Sequence, residues 1–230
     1  MATTNGTLRK EPVAKPAPAN KKAEKREAAK AKILDATLNL IADQGLASLS
    51  HRTIAKAAGV QLAMTTYYFQ TFDNLLLAAF RSFREGMTPV LGDLEQKQQA
   101  LLSRCESAAD GKSGIDIEQY LQGVCSLIEE FFNDAQDARS RQLKIESQFL
   151  FQQFLPEPVY DEVLEYTLSL QALSLRFCMP FDSGQADVDG RLLLAVVQHL
   201  EFSRVSSLGF TGLDNRKMIE RLLRGFLTPA

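Results

Sequence analysis

The sequence predicts an all-α protein, and three observations carry that reading. Apolar residues recur at three-and-four spacing in one segment after another, as they do on the buried face of a helix. Few segments show sustained alternation or an Asn-Gly hairpin signal. Helix stops fall between the periodic segments: Gly45, Gly59, Pro156, Pro180 and Gly209.

Taken in order, residues 1–26 contain Pro12, Pro16 and Pro18 among Ala, Lys and Asn. They cannot bury apolar surface and are expected to be a disordered basic tail. A first helix carries Ile33, Leu34, Thr37, Leu38 and Ile41 on one face and stops at Gly45. The stretch from Ser50 to Phe69 then reads as two short helices about a glycine turn. Ser50 is a candidate N-cap, and Ile54, Ala55 and Ala58 form a small apolar face. Gly59 takes the turn, Val60 plugs it, and a second helix runs from about Leu62 to Tyr68. A small residue four places before the turn glycine lets the two helices cross closely. This is a helix-turn-helix, a pattern that reads DNA.

A fourth helix is expected from Phe72–Asp73, with Leu76, Ala79, Phe80 and Phe83 inward, interrupted around Gly86 to Pro89. A polar helix from Val90 to Ala108 and a loop, ADGKSG, follow. The next helix carries Ile117, Tyr120, Leu121, Val124, Ile128 and Phe131. After a break at Asp134 to Asp137, another runs to Leu155 with Leu143, Phe149 and Phe154 inward. Helices at about Val159–Met179, Val188–Leu208 and Asn215–Phe226 complete the chain. The domain boundaries expected are 1–26 for the tail, 27–71 for the helix-turn-helix domain and 72–230 for the helical remainder.

At 230 residues the chain can bury a full core. No apolar run approaches the 18 or so residues needed to span a bilayer, and the N-terminus lacks a secretory h-region. Cys105, Cys125 and Cys178 are widely spaced, as expected of reduced, buried thiols in a cytoplasmic protein. With His51 and His199 the only histidines, no metal site is expected. The net charge of −2 hides an asymmetry: residues 1–32 sum to +6 and the remainder to −8. A basic end on an acidic body suits a nucleic-acid partner; a solvated tail with no partner has the same composition.

With its flanks, the motif resembles the N-terminal domain of the TetR family of transcriptional regulators. The matching residues run from Ile33, Leu34 and Gly45 through Arg52, Ile54, Ala55, Ala58, Gly59 and Val60 to Tyr67, Phe69, Leu75 and Leu76. They cover roughly residues 27 to 80; beyond residue 80 the likeness is one of architecture. The resemblance implies an N-terminal three-helix DNA-binding domain and a larger C-terminal effector-binding and dimerisation domain. It further implies a repressor that binds a palindromic operator as a homodimer and is released by a small molecule.

The N-terminal part of the second motif helix enters the major groove, which here presents Gln61, Leu62, Ala63 and Met64. Gln pairs with adenine, and the apolar side chains can meet a thymine methyl. Arg52 matches an arginine that reaches a base in some relatives, and Arg bidentate to guanine is the commonest specific contact. His51, Thr53, Thr65, Thr66, Tyr67 and Tyr68 are expected at phosphates. Met64 and Tyr68 are equally suited to packing against the first motif helix. Thr66 and Phe72 depart from the Tyr and Lys usual in the family at those places, both phosphate contacts. Tyr67 and the tail lysines are candidates to replace them.

Two later helices are apolar nearly all round: Val163 to Met179, and Leu192 to Leu200, where only Gln198 and His199 are polar. Such helices need more cover than one neighbour gives, so they are expected to meet a second copy in a four-helix bundle, with Leu164, Leu168, Leu175, Val196, His199 and Leu200 at the dimer interface. A central place within the monomer is the alternative. Tyr120, Cys125, Gln148, Phe149 and Gln152 are candidates for lining the effector pocket, although aromatic stripes of this kind also occur as plain core. The expected partners are therefore double-stranded DNA, an unidentified small molecule and a second copy, without a membrane or a cofactor. No catalytic arrangement or phosphate loop is present in the sequence. The rival reading is a helical protein-interaction module without sequence-specific DNA binding.

Overall fold

The computed structural model describes residues 18–109, 112–133, 136–205 and 214–227. Its described helices are α1 (Pro18–Gln44), α2 (His51–Ala58), α3 (Leu62–Phe69), α4 (Phe72–Cys105), α5 (Ile117–Asn133), α6 (Gln136–Leu150), α7 (Glu157–Cys178), α8 (Ala186–Val205) and α9 (Asn215–Gly225). The all-α expectation holds for the architecture, with one local exception. Part of the expected ADGKSG loop is a short antiparallel hairpin, β1 (Glu106–Ala109) on β2 (Lys112–Ile115), with Glu106 opposite Ile115. It caps the junction of α4 and α5, where the Asp116 N–H donates to the Cys105 carbonyl (2.8 Å).

Two other expectations are corrected. Helix α1 begins at Pro18, inside the tail expected to be disordered, so helix covers residues 18–26; residues 1–17 lie outside the described set. Helix α4 runs unbroken through Gly86 and Pro89 to Cys105. An interior Pro costs a helix about 3 kcal/mol by removing one ladder bond and crowding the preceding turn. Packing offsets that cost, because Phe80, Phe83 and Met87 before Pro89 and Gln98, Leu101 and Cys105 after it are all buried. The expected closure of α8 at Gly209 lies outside the described residues.

Three apolar clusters organise the molecule. Ile33, Ile54, Phe69 and Leu75 hold α1 to α3 against the start of α4. Each fully buried side chain of this size contributes about 1.5–3 kcal/mol relative to exposure. A second cluster joins Leu38 and Ile41 of α1 to Phe80 and Phe83 of α4, Phe149 of α6 and Tyr166 of α7. A third joins Tyr120, Val124 and Ile128 of α5 to Phe177, Leu200 and Leu223. Helices α7 and α8 pack closely where Gly190 meets the backbone of Leu175. A Cβ at Gly190 would lie 2.8 Å from the Leu175 Cα. Only a residue without a side chain allows that approach.

Candidate functional site

The helix-turn-helix is built by local interactions. Ser50 caps α2: its Oγ accepts from the Thr53 N–H (3.1 Å), and the Thr53 Oγ1 accepts from the Ser50 N–H (2.9 Å). This reciprocal pair satisfies two amide donors at the helix start. Gly59 ends α2 in the left-handed region (φ 63°), and the Val60 N–H returns to the Ala55 carbonyl (3.0 Å). Ala55 is buried at the crossing. The Thr71 side chain accepts from the Asn74 N–H (3.1 Å) at the start of α4.

This geometry sorts the residues expected to meet DNA. Arg52, Gln61, Leu62, Ala63, Thr66 and Tyr67 are exposed, Tyr67 by 73%. Gln61 starts α3 without a side-chain cap, and in the first turn the Met64 N–H donates to the Gln61 carbonyl (2.9 Å). Thr65 is a different case, because it is fully buried. Its hydroxyl donates to the Leu62 carbonyl (2.8 Å) and lies 3.1 Å from the His51 Nδ1. The structure therefore corrects Thr65 from a phosphate contact to an internal brace between α2 and α3. His51 shares that brace and stacks edge-on against Phe72 (5.8 Å between centroids). Phe72, in the place where the family usually has Lys, thus buttresses the motif from α4. Thr53 is committed to the cap, and Met64 and Tyr68 pack against the α1–α3 core. Among the tail residues, Lys25, Arg26 and Lys32 are exposed on α1, and Lys30 pairs with Glu27 (3.2 Å).

In the helical remainder, the residues expected to line a ligand pocket do not meet in one. Tyr120 is fully buried between Gln98 (3.0 Å) and the Phe177 carbonyl (3.2 Å). Cys125 and Phe149 are core, and burial pushes the Cys125 thiol up to about 11. Gln152 is exposed in the turn after α6, as is Phe154, which was expected inward and is 79% exposed. Gln148 faces the end of α1: its Oε1 accepts from the Leu46 N–H (3.3 Å). Their apolar and aromatic character reports burial in the monomer, not a vacant pocket.

A partly enclosed cavity of about 70 Å³ lies instead among α4, α5, α6, α7 and α8. One water needs roughly 10–15 Å³ on the same measure, so the space admits more than a solvent molecule. Met87, Leu91 and Leu94 supply one wall, Ile128 and Phe131 another, and Leu170, Leu173 and Leu193 a third. At one side stand three buried charged side chains, Arg139, Glu146 and Glu201, with Tyr166. The Arg139 Nη2 donates to Glu201 (2.6 Å), and its guanidinium lies over the Phe131 ring (4.2 Å). The Tyr166 hydroxyl donates to the Glu146 Oε1 (2.9 Å). Burial raises the pKa of both carboxyls, Glu201 to about 7, with Arg139 opposing the rise. The sequence reading missed this cluster. Its trace was there: Leu193, Val197 and Glu201 share one face of α8 at four-residue spacing, which places a charge on an apolar stripe.

Two routes connect the cavity elements to the motif. Arg141 of α6 donates to Asn39 (2.8 Å) and Asp35 (3.2 Å) of α1. Arg81 and Arg84 of α4 grip Glu162 of α7 at 2.8 and 2.7 Å. Glu162 is held below the ordinary carboxylate range, chiefly by the Arg81 hydrogen bond.

Tyr160, Leu164 and Leu168 of α7 and Val188, Leu192 and Phe202 of α8 are exposed apolar side chains. Leu164, Leu168 and His199 of the expected dimer residues are exposed, and Leu175 and Val196 are half-buried. Leu200 is 1% exposed and belongs to the core with α5 and α9, so it is corrected from an interface residue to an internal one. Among the described residues no helix is long and apolar enough to cross a membrane, and no three-residue metal-binding group occurs.

Comparison with known proteins agrees with this layout. Residues 33–79 match the model of the bacterial regulatory proteins, tetR family. The HTH-type transcriptional regulator PksA of Bacillus subtilis (strain 168) is 37% identical over 62 residues, 27% of this chain and 30% of that protein. The chain thus spans less than a third of the length of that curated relative. A transcriptional regulator from Rhodococcus sp. Rha1 superposes with a TM-score of 0.57 at 19% identity, covering 86% of this chain and 93% of the other. The multidrug binding protein EbrR, solved with imidazole, gives 0.56 at 23% identity over 87% and 96%. At those identities the shared feature is the fold.

Proposed function

From a chain whose residues 33–79 match the bacterial regulatory proteins, tetR family, we propose a TetR-like homodimeric repressor that binds a palindromic operator and leaves it when a small molecule fills the cavity among α4 to α8. The observation that carries this is the double attachment of α6. That helix presents Arg139 and Glu146 to the cavity and holds α1 and its following turn through Arg141 and Gln148. A shift of α6 that accommodates a ligand therefore acts on α1, against which the motif packs through Ile33, Ile54 and Phe69. The solved complex of the similarly folded EbrR, named as a multidrug binding protein, supports a small-molecule site in this architecture.

Reading falls to Arg52 and Gln61 at base edges, Leu62 and Ala63 at apolar groups in the major groove, and Thr66, Tyr67 and the exposed α1 cations at phosphates. Half-sites one duplex turn apart, about 34–36 Å, set the separation the two motifs of a dimer must keep. The stripe formed by Leu164, Leu168 and Leu192 is the surface on which a second copy docks. All three are exposed apolar side chains, on α7 and α8.

Selection of bound DNA from a random pool tests the reading, with a palindrome as the expected product. An asymmetric site, or none, would refute it. Sedimentation of the wild type should give a dimer and of Leu168→Asp a monomer; a wild-type monomer at micromolar concentration removes the dimer. Addition of a cavity-filling ligand should release the selected DNA, and a reporter fused to that site should rise when the protein is deleted. A falling reporter would identify an activator.

A further inference from the structure

We propose that the cavity takes small apolar amines in their ammonium form, with the Glu146 carboxylate as counter-ion. The location rests on the effector-site reading above; the chemistry follows from the charges in the wall. Two carboxylates, Glu146 and Glu201, face one guanidinium, Arg139, and all three side chains are buried, at 6, 8 and 8% exposure. Arg139 is already engaged by Glu201, by the Met87 Sδ (3.6 Å) and by the face of Phe131. Glu146 is engaged on one oxygen only: Tyr166 donates to Oε1, while Oε2 is buried without a partner. That oxygen belongs to a residue lining a cavity whose walls on α4 and α5 are apolar.

A buried carboxylate oxygen with no donor is costly, and the site relieves the cost in one of two ways. Empty, it takes up a proton, consistent with the upward displacement of both carboxyls by burial. Occupied by an ammonium, it gains a charge-assisted hydrogen bond to Oε2 and balances its charge. An anion would stand against two carboxylates. A neutral apolar molecule would fill the space but leave Glu146 to be relieved by a proton, with no charge-assisted bond gained. The Arg139 Nε, also buried without a partner, adds a donor for an oxygen carried beside the amine.

Calorimetric titration of the full chain at neutral pH with n-hexylamine, hexan-1-ol and hexanoate separates these cases. The amine should bind roughly tenfold or more tightly than the alcohol, the size of one charge-assisted hydrogen bond, and hexanoate should bind weakest. Glu146→Gln should bring the amine down to the level of the alcohol. Equal binding of amine and alcohol overturns the proposal, as does an amine preference that survives in Glu146→Gln. If that variant is unfolded by circular dichroism, the wild-type series decides alone. A gel shift on the selected DNA keeps the two readings apart. Amine that binds without releasing DNA refutes the effector role and leaves the ligand class standing. DNA released by the alcohol, with no preference for the amine, does the reverse.

Discussion

The helix-turn-helix and the cavity among α4 to α8 both set polar side chains against apolar cores, but they satisfy them over different distances along the chain. In the motif, Ser50 and Thr53 cap one another three residues apart, and Thr65 returns to Leu62 across one helical turn. In the cavity, Tyr166 reaches Glu146 across 20 positions and Arg139 reaches Glu201 across 62. The motif leaves none of these groups unpaired, whereas the cavity keeps one oxygen of Glu146 and one nitrogen of Arg139 without a partner. The contrast suits the roles proposed for them: the caps of the motif are satisfied locally, and the cavity proposed to take a ligand keeps two buried polar atoms unpaired.

The largest expected effect lies in the cavity. Arg139→Ala removes the cation from between two buried carboxylates, and breaking a buried pair in this way costs about 3–5 kcal/mol. Urea denaturation at neutral pH measures it, and a loss below about 1 kcal/mol would show that protonation relieves the site completely. Arg52→Ala tests the opposite property of the motif. The exposed side chain should cost about 1–3 kcal/mol of binding to the selected site with the melting temperature unchanged. Equal loss on random DNA would contradict base readout.

Ser50→Ala then probes the local caps directly. It should lower stability by about 1 kcal/mol, because one first-turn amide loses its acceptor. A cost comparable to Arg139→Ala would break the distinction between local and distant satisfaction. The smallest effect is expected at Glu162, whose partners Arg81 and Arg84 sit near the surface. Glu162→Gln should cost less than about 1 kcal/mol. Because the folded protein holds this carboxyl below its ordinary range, its stabilisation is complete above that range and fades as pH falls through the lowered value. Acid titration of the melting temperature in wild type and variant should converge at low pH.

The same contrast explains what could be read from the sequence. Ser50, Ala55 and Gly59 announce the motif because each acts on residues within one or two turns of itself. Proline at 89 misled for the complementary reason: the rule that Pro stops a helix is local, and α4 is held by burial of Met87 and Leu101 against distant helices. Thr65 and Leu200 misled because exposure on a helix depends on what arrives from elsewhere. Nothing near Thr65 in the chain says that His51 will close over it. The cavity charges were the least legible, since Arg139 lies in ARSRQ and Glu146 in KIES, stretches that resemble any solvated helix face.

The attachment of α6 to α1 also bears on how such proteins can be recombined. An exchange of reading heads that cuts the chain at the start of α4 treats residues before Phe72 as a detachable module. Here that cut would separate Arg141 from Asp35 and Asn39, and Gln148 from the Leu46 amide. A donor head would have to bring an acid and an amide at the positions of Asp35 and Asn39 to keep the ties to Arg141. A chimera lacking them should still bind its operator while losing its response to ligand, which makes those two α1 residues the first to transplant together with α6.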